Sequence, residues 1–381
     1  MSAALEPATP PGDQPLDVWV LMPTLVRGGV ERVVLRLLAG LDRQRYAPRL
    51  LLFADDGSGY PQPADLPVEV FRSNSLRAHI PELARKMRRR PPDVLVVHTS
   101  GASVVALLAR RLARGRFPVI AVLHIPVGIE HERQRDTIMR VVSKLTLPWA
   151  EAVVAVSNGA AANLAAFLGW SLARIRVLDN VVIDDTVLRD AGEPVEHPWF
   201  APGLRVVLGI GRLTPQKDFP TLLQAFALLA ADDPSLRLLI LGEGPDQLAL
   251  EGLVEHLGLA EVVAMAGAVP NPFAYMSRSS VFVLSSAWEA LPTVLIEALA
   301  VGIPVVATDC VAGPREILLD GQLGQLVPVG DAAALAAAVR ATLDRPPAAD
   351  LQLRAQTYGR LAVNGYESLI DEVVAGRRRT T

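Results

Sequence analysis

Short, mainly apolar runs recur along this chain, at residues 17–22, 49–53, 68–71, 94–97, 119–123 and 153–156, and again at 205–208, 236–241, 262–268, 281–284 and 304–307, most of them without polar alternation. A strand that is wet on one face alternates apolar with polar positions. An unbroken run is what a strand buried on both faces of a parallel sheet requires. The intervening segments change period: Val30, Val33, Val34, Leu37, Leu38 and Leu41 repeat at the spacing of one helix face, and residues 219–230 also read as a helix. Strand alternating with helix predicts an α/β chain whose strands run parallel. The alternation lapses over residues 179–203, where Pro194, Pro198 and Pro202 fall among acids without a period. Residues 191–203 are therefore expected to link a first domain at 17–190 to a second at 204–357. Helical spacing returns at 358–375. Residues 1–16, rich in proline and alanine, are expected to be a disordered tail, and 376–381 a basic one.

Residues 285–308, SSAWEALPTVLIEALAVGIPVVAT, form a strand exit, a loop, a helix and a second strand without a gap. Pro292 falls where a first helical residue is wanted, because its missing N–H has no intrahelical partner there, and Gly302 falls where a left-handed stop is wanted. A helix of about ten residues is expected between them. It begins at the carboxyl end of a strand, the edge at which open α/β sheets bind ligands. The N–H groups of Thr293 and Val294, with Leu291 just before them, would favour an anion such as a diphosphate at that edge. Glu297 is the only charge in an otherwise apolar helix, with Thr293 one turn before it on the same face, and Glu289 lies in the loop ahead. Taken alone, the two carboxylates read equally well as a solvated helix face and a loop acid.

Other strand exits carry residues of the same kind. The loop after 17–22 ends in Gly28 and Gly29; it lacks the G-x-G-x-x-G spacing of a dinucleotide site, and the glycines equally suit a tight turn. His98 and His124 each lie at the end of a first-half strand. Cleft residues belong there, although a lone histidine is more often a hydrogen-bonded structural residue. After 205–208 come Gly209, Gly211 and Arg212, then Lys217: two cations able to close on one diphosphate, or a pair of surface cations. Lys217 is the only lysine in residues 191–381, which argues against generic surface decoration.

Composition narrows the class. The 381 residues, 51% apolar, suffice for two domains with cores of their own. The one cysteine, Cys310, can form no intramolecular disulfide, and no charged segment followed by an apolar one opens the chain. No unbroken apolar run reaches the ~18–20 residues of a membrane-spanning helix. A cytoplasmic chain is expected, peripheral at most at the inner face of a membrane. The net charge of −3 conceals an asymmetry: 24 basic against 19 acidic residues in 1–190, a balance of +5, and 13 against 21 in 191–381, a balance of −8. Within 76–92, Arg77, Arg85, Lys86, Arg88, Arg89 and Arg90 stand against Glu82 alone. Solvated helix faces would account for them. Aromatics are not interleaved with these residues, so nucleic acid is a poor partner, and an anionic membrane surface or a diphosphate-bearing lipid is a better one. No Ser/His/Asp set or metal-ligand cluster is found.

The spacing from Glu289 to Glu297 ahead of A-x-G-x-P-V-V-A-T, with G-R-L-T-P-Q-K-D around Arg212 and Lys217 and G-G-V-E-R from Gly28, resembles the GT4 family of retaining glycosyltransferases from about Val18 to the C-terminal helix. The resemblance implies the GT-B fold: two Rossmann-like parallel-sheet domains facing a cleft, with a C-terminal helix crossing back to the first. It also implies roles. Arg212 and Lys217 would bind the donor diphosphate, Glu297 the ribose hydroxyls, Glu289 the donor-sugar hydroxyls and the backbone near Val269 the nucleobase. Gly28 and Gly29 would face the donor phosphates and acceptor, and His124, ahead of His98, the donor sugar. No metal and no cofactor besides the nucleotide sugar would be required. The reaction implied moves a hexose or N-acetylhexosamine, UDP-linked by preference, to a polyprenyl-diphosphate-linked or glycan acceptor in bacterial surface polysaccharide synthesis. A nucleotide-sugar epimerase of the same fold, or a non-catalytic nucleotide-sugar-binding protein, would share these features. One position departs from the family: Ala290 stands where it usually has glycine, so either the backbone there is ordinary or the sugar pocket is altered.

Overall fold

The computed structural model describes residues 14–26, 28–55, 57, 59–71, 76–124, 134–345 and 351–379. The chain divides into two compact units. The first takes the chain to Val156, then Ala160–Val181 and the run from Arg360; the second takes Ser157–Gly159 and Val182–Gly359.

In the first unit, β1 (Leu16–Met22) leads through α1 (Gly29–Gly40) to β2 (Tyr46–Leu52) and β3 (Val68–Val70). Then come α2 (Leu76–Arg89), β4 (Val94–His98), α3 (Ser100–Ala113), β5 (Val119–Leu123), α4 (Gln134–Thr146), β6 (Ala152–Ala155), α5 (Asn158–Leu168) and β7 (Arg176–Val177). The strands are all parallel and ordered β3-β2-β1-β4-β5-β6-β7. β4, β5 and β6 are buried at every position, which is why they read as unbroken apolar runs rather than alternating ones.

The second unit opens with α6 (Thr186–Ala191), β8 (Arg205–Ile210), α7 (Phe219–Ala230), β9 (Leu236–Leu241), α8 (Gln247–His256), β10 (Val263–Met265) and α9 (Pro272–Met276). It continues through β11 (Val281–Leu284), α10 (Thr293–Val301), β12 (Val305–Thr308), α11 (Pro314–Ile317), β13 (Gln325–Val327), α12 (Ala332–Asp344) and α13 (Leu351–Ala355). Its sheet is again parallel, ordered β10-β9-β8-β11-β12-β13. Phe219, Leu222 and Phe226 of α7 pack with Leu238, Ile240, Val281 and Val283 of the sheet. Full burial of a ring such as Phe226 contributes about 1.5–3 kcal/mol. In both sheets the winding reverses once, between β1 and β4 and between β8 and β11, and the carboxyl edge at such a reversal is where an open α/β sheet takes its ligand.

The final helix, α14 (Arg360–Arg378), belongs to the first unit although the chain reaches it from the second. Glu367, nearly buried, accepts a hydrogen bond from the Asp42 N–H at 2.9 Å and lies beside Arg45 at 3.7 Å. The Tyr46 hydroxyl donates to Asp371 at 2.9 Å, and Arg45 pairs with the same carboxylate. Burial first, and the Asp371 contact second, push the Tyr46 hydroxyl far above its ordinary range, so it remains a donor.

Four boundaries differ from expectation. Pro292 is the residue before α10 rather than its first residue; its ψ of 97° is extended, and the helix has nine residues. The units divide at Val181 and Val182, ahead of 191–203, because α6 is docked on the second unit: Asn271 Nδ2 donates to the Asp190 carbonyl at 2.7 Å and Ser277 Oγ to the Ala191 carbonyl at 2.7 Å. Leu16 begins β1 in register with Tyr46, so the expected tail ends sooner, and residues 1–13 lie outside the described residues. α14 runs on to Arg378, which makes the start of 376–381 helical, while 380 and 381 lie outside the described residues.

Candidate functional site

In the second unit the site is built on the two strands at the winding reversal. β8 ends in Gly209 and Ile210, and the chain then runs past Gly211 and Arg212 into a short turn, Pro215–Lys217. Gly242, after β9, has φ +141°, and a Cβ there would lie 1.9 Å from the Gly211 carbonyl oxygen, so only glycine lets these two strand exits approach. Asp218 takes a left-handed conformation, φ 45°, and its carboxylate accepts from the Thr221 N–H and hydroxyl, closing the amino end of α7. This turn aims Lys217 at the loop that follows β11.

There Lys217 Nζ lies 2.5 Å from Glu289 Oε1. The carboxylate also accepts from Ser286 Oγ at 2.8 Å and Gln216 Nε2 at 3.4 Å. A second layer of bonds fixes both strand exits: Ser285 Oγ donates to the Lys217 carbonyl at 2.7 Å, the Ala287 N–H to the Gln216 carbonyl at 2.8 Å and Thr308 Oγ1 to the Ser286 carbonyl at 2.6 Å. Glu289 is 6% exposed, so a simple loop acid is excluded. A buried ion pair gains little net stability over an apolar pair, yet losing one partner leaves an expensive bare charge. Its polar frame therefore points to function more than to folding.

Arg212, on the same strand exit, is exposed, and its side chain has no partner among the described residues. One strand exit thus presents a free cation beside a paired one. α10 begins at Thr293, and Pro292 supplies no side-chain cap for its first N–H groups, including those of Thr293 and Val294. Leu291 is buried just ahead. The loop after β12 is pressed onto this segment at Gly313, φ +93°, where a Cβ would lie 2.4 Å from Pro292 Cδ and 3.2 Å from the Ala290 carbonyl oxygen. Ala290 itself is not among the residues with positive φ, so its backbone is ordinary and alanine stands there without strain. Glu297 is 5% exposed, which excludes the solvated helix face. Cys310 is close enough for the Glu289 carboxylate to act on it; burial first and that charge second push its thiol up to about 12, so it is no nucleophile.

Val269 is half-buried in the loop after β10, whose path is held by the Gly242 N–H on the Gly267 carbonyl at 2.8 Å and by the Ala268 N–H on Glu243 Oε1 at 3.3 Å. Sequence reasoning missed Glu243, Gln216 and Ser286. The G-E-G-P turn after an apolar run was the one signal for Glu243; nothing in the pattern pointed to the other two.

The first unit holds the remaining candidates. Gly28 caps α1 with φ −160°, and neither it nor Gly29 has positive φ, so the left-handed freedom of glycine is not used at either. His98 ends β4 and His124 follows β5; both are buried, and His98 Nδ1 lies 2.8 Å from His124 Nε2. Burial, with the neighbouring ring adding, holds His98 well below the usual histidine range, and burial pushes His124 down to about 4. Both are neutral at pH 7. Along α2, an open groove of about 820 Å³ is lined by Ala78, Pro81, Glu82, Arg85, Lys86, Arg89 and Arg90 and by Glu69. Lys86 pairs with Glu69 and Arg90 with Asp17, whereas Arg85 and Arg89 are exposed without a described partner. α2 packs on α3, whose carboxyl end adds the exposed Arg111, Arg114 and Leu112.

Comparison with known proteins bears on the family and the fold. The model described as Glycosyltransferase Family 4 matches residues 27–186, and that described as Glycosyl transferases group 1 matches residues 199–361. The chain is 31% identical to a lipopolysaccharide core biosynthesis glycosyltransferase of Rhizobium meliloti over 79% of this chain and 78% of that protein. It is 29% identical to an N-acetylgalactosamine-N,N'-diacetylbacillosaminyl-diphospho-undecaprenol 4-alpha-N-acetylgalactosaminyltransferase of Campylobacter jejuni over 80% and 84%. It is also 29% identical, over 62% of its own length, to an uncharacterized glycosyltransferase of Methanocaldococcus jannaschii, of which it spans 60%. Among solved structures, Anabaena HepE in complex with UDP-glucose superposes with a TM-score of 0.78 at 22% identity, covering 95% of this chain and 100% of that one. The fold is GT-B.

Proposed function

Because this chain belongs to glycosyltransferase family 4, we propose that it moves a hexose or N-acetylhexosamine from a UDP-sugar to a lipid-linked or glycan acceptor, with retention at the anomeric carbon. The observation that carries the reading is the buried Lys217–Glu289 pair, 2.5 Å apart, beside the free Arg212 and ahead of the uncapped end of α10. In this reading Lys217 and Arg212 meet the diphosphate, with the Thr293 and Val294 N–H groups turned to the same charge. Glu289 is held to accept from the donor-sugar hydroxyls, Glu297 from the ribose hydroxyls, and the Val269 backbone reads the nucleobase. His124 addresses the donor sugar, and Gly28 and Gly29 leave room for phosphates and acceptor.

During transfer the bond from the anomeric carbon to the diphosphate oxygen breaks and its electron pair leaves with the diphosphate. The acceptor oxygen bonds to the same face of the sugar, and its proton passes to the departing phosphate oxygen. Because cations and a helix end carry the developing charge, the scheme requires no metal. The name of the Campylobacter relative, with its diphospho-undecaprenol, supports a polyprenyl-diphosphate acceptor. Arg85 and Arg89 of α2 and Arg114 just after α3, exposed and without a partner among the described residues, support an anionic membrane surface as the place where that acceptor is met.

Incubation of the full chain with UDP-hexoses and UDP-N-acetylhexosamines, with and without a polyprenyl-diphosphate-linked sugar, tests this by product analysis. A glycosylated lipid formed only with both substrates is expected. An epimerised nucleotide sugar formed without acceptor, or binding with no product, would replace the reading by an epimerase or a binding protein.

A further inference from the structure

A second concave site lies within the first unit, at the amino edge of its sheet. α3 carries the chain from the carboxyl end of β4 to the amino end of β5, and its last turn borders a cavity of about 250 Å³. The charged side chains lining that cavity are Arg110, Arg111, Arg114 and Arg377, against Glu151 alone. Glu151 marks the edge: its N–H donates to the Val119 carbonyl at 3.0 Å and its Oε2 accepts from the Val119 N–H at 2.8 Å. At roughly 3.3 Å per residue, β5 alone sets the cavity about 16 Å from the carboxyl edge, where His98 and His124 lie.

Two of the arginines already have acceptors. Arg110 Nη1 donates to Glu151 Oε2 at 2.6 Å and to the Phe117 carbonyl at 3.1 Å, and Nη2 donates to the Trp149 carbonyl. Arg377 Nη1 lies 3.7 Å from Glu151 Oε1. Arg111 stacks 4.7 Å above the Trp149 ring, which fixes its plane, and neither it nor Arg114 has an acidic partner among the described residues. Both are exposed on the side away from that ring stack's support. The carboxyl ends of α3 and α14 each supply about half a negative charge. Together with Glu151 they offset about two of the four guanidinium charges, and about two remain. A phosphate monoester carries about −1.5 to −2 at neutral pH, with three open oxygens, and matches that surplus.

Arg114 is the lining residue that helix capping explains least. It ends α3 in the left-handed region, φ 55°, where glycine is the easy choice, while the adjacent Gly115 has no positive φ. Gly115 is required for space instead, since a Cβ there would lie 2.6 Å from Phe117 Cε1. An arginine thus stands where the backbone disfavours any side chain, and it lines the cavity.

We propose that this cavity binds one phosphate group, carried by a soluble phosphomonoester or by an anionic lipid headgroup. The site shares no residue with the donor site, and it does not depend on the reaction proposed above. Arg111 and Arg114 meet the phosphate oxygens, Arg377 adds charge, and Arg110 with Glu151 forms the floor.

The test uses the full chain and proton–nitrogen NMR of arginine Nε–Hε groups during addition of glycerol 3-phosphate, inorganic phosphate or, at matched ionic strength, acetate. The readout is local, so the Arg212 signal reports separately on any phosphate at the donor site. Both phosphates should shift the Arg111 and Arg114 signals saturably, and acetate should not. Arg111→Gln and Arg114→Gly should each weaken glycerol 3-phosphate binding roughly tenfold or more. Arg116→Gln, at an exposed position outside the cavity, should change it by less than about twofold. Arg114→Gly should also raise the urea midpoint of the unliganded chain by relieving the left-handed φ, so its lost binding is not misfolding. Phosphatidylcholine vesicles containing phosphatidic acid, compared with phosphatidylserine at equal surface charge, identify the carrier. Greater recovery with phosphatidic acid, lost in Arg114→Gly, supports the site with a lipid as its ligand; equal recovery, with the soluble phosphates still binding, supports it with a soluble one. No saturable shift with either phosphate, equal shifts with acetate, or equal weakening by Arg116→Gln would overturn the site and leave helix-capping arginines.

Discussion

Lys217 and Glu289 are separated by 72 residues, and each has a different environment from Arg212, so their variants should fail differently. Lys217→Ala strands the Glu289 carboxylate among buried groups and should cost about 3–5 kcal/mol of stability as well as activity. Arg212→Ala removes an exposed cation and should leave the unfolding midpoint in place while kcat/KM falls roughly tenfold to a hundredfold. Denaturation and kinetics on both variants check this, and kcat/KM within twofold of wild type in Arg212→Ala would move the diphosphate elsewhere. Glu297→Gln should weaken UDP binding, and Glu289→Gln should act mainly on kcat; calorimetry with UDP alone separates the two. The histidine pair sets a pH dependence. Between pH 6.5 and about 4 an unfolded His124 binds a proton that the folded one refuses, so stability falls as the pH falls through that window, by up to about 3 kcal/mol. Urea midpoints at pH 7 and pH 5 should therefore diverge in wild type and converge when both histidines are replaced by asparagine.

At the scale of elements, the legible part was the part dictated by burial. β5, α7 and β9 coincide with their expected ranges because runs buried on both faces, and a helix between a capping Asp218 and an apolar core, leave few alternatives. β7, of two residues, and β13, with Gln325 exposed at its start, are short sheet edges and carry too little apolar signal to be read. The 191–203 prolines looked like a linker because local pattern cannot reveal that α6 is fastened to Asn271 and Ser277, some eighty residues on. The site divides in the same way: its glycines, cations and carboxylates could be read from strand exits, whereas the bonds of Gln216 and Ser286 to Glu289 exist only once two loops meet. Gly313 tests that meeting. Gly313→Ala combines a strained φ with a clash on Pro292 and should displace the amino end of α10, weakening UDP binding about tenfold or more by calorimetry. Unchanged affinity would mean that this end does not touch the nucleotide.

At the scale of the molecule, the sequence asymmetry of +5 against −8 becomes a basic surface on α2 and α3 of the first unit. Three of its cations are already paired, with Glu69, Asp17 and Glu151. Arg85, Arg89 and Arg114, exposed and without an ion-pair partner among the described residues, at about 1 kcal/mol each near an anionic surface, should give reversible, salt-sensitive attachment. Co-sedimentation with anionic vesicles should exceed that with neutral ones at low salt and vanish when the three are replaced by glutamate. Equal recovery from both vesicle types would leave a transferase with a soluble acceptor.

If a UDP-sugar is transferred with retention from the site built on Lys217, Arg212 and Glu289, as we propose, the configuration of the product records it. Proton NMR of the anomeric centre in the product, formed by the full chain from an α-linked UDP-sugar and a polyprenyl-diphosphate-linked acceptor, measures this most directly. An α linkage in the new glycoside is expected, with formation suppressed roughly tenfold or more by Arg212→Ala. A β-linked product, or an α-linked one formed equally well by Arg212→Ala, would contradict it.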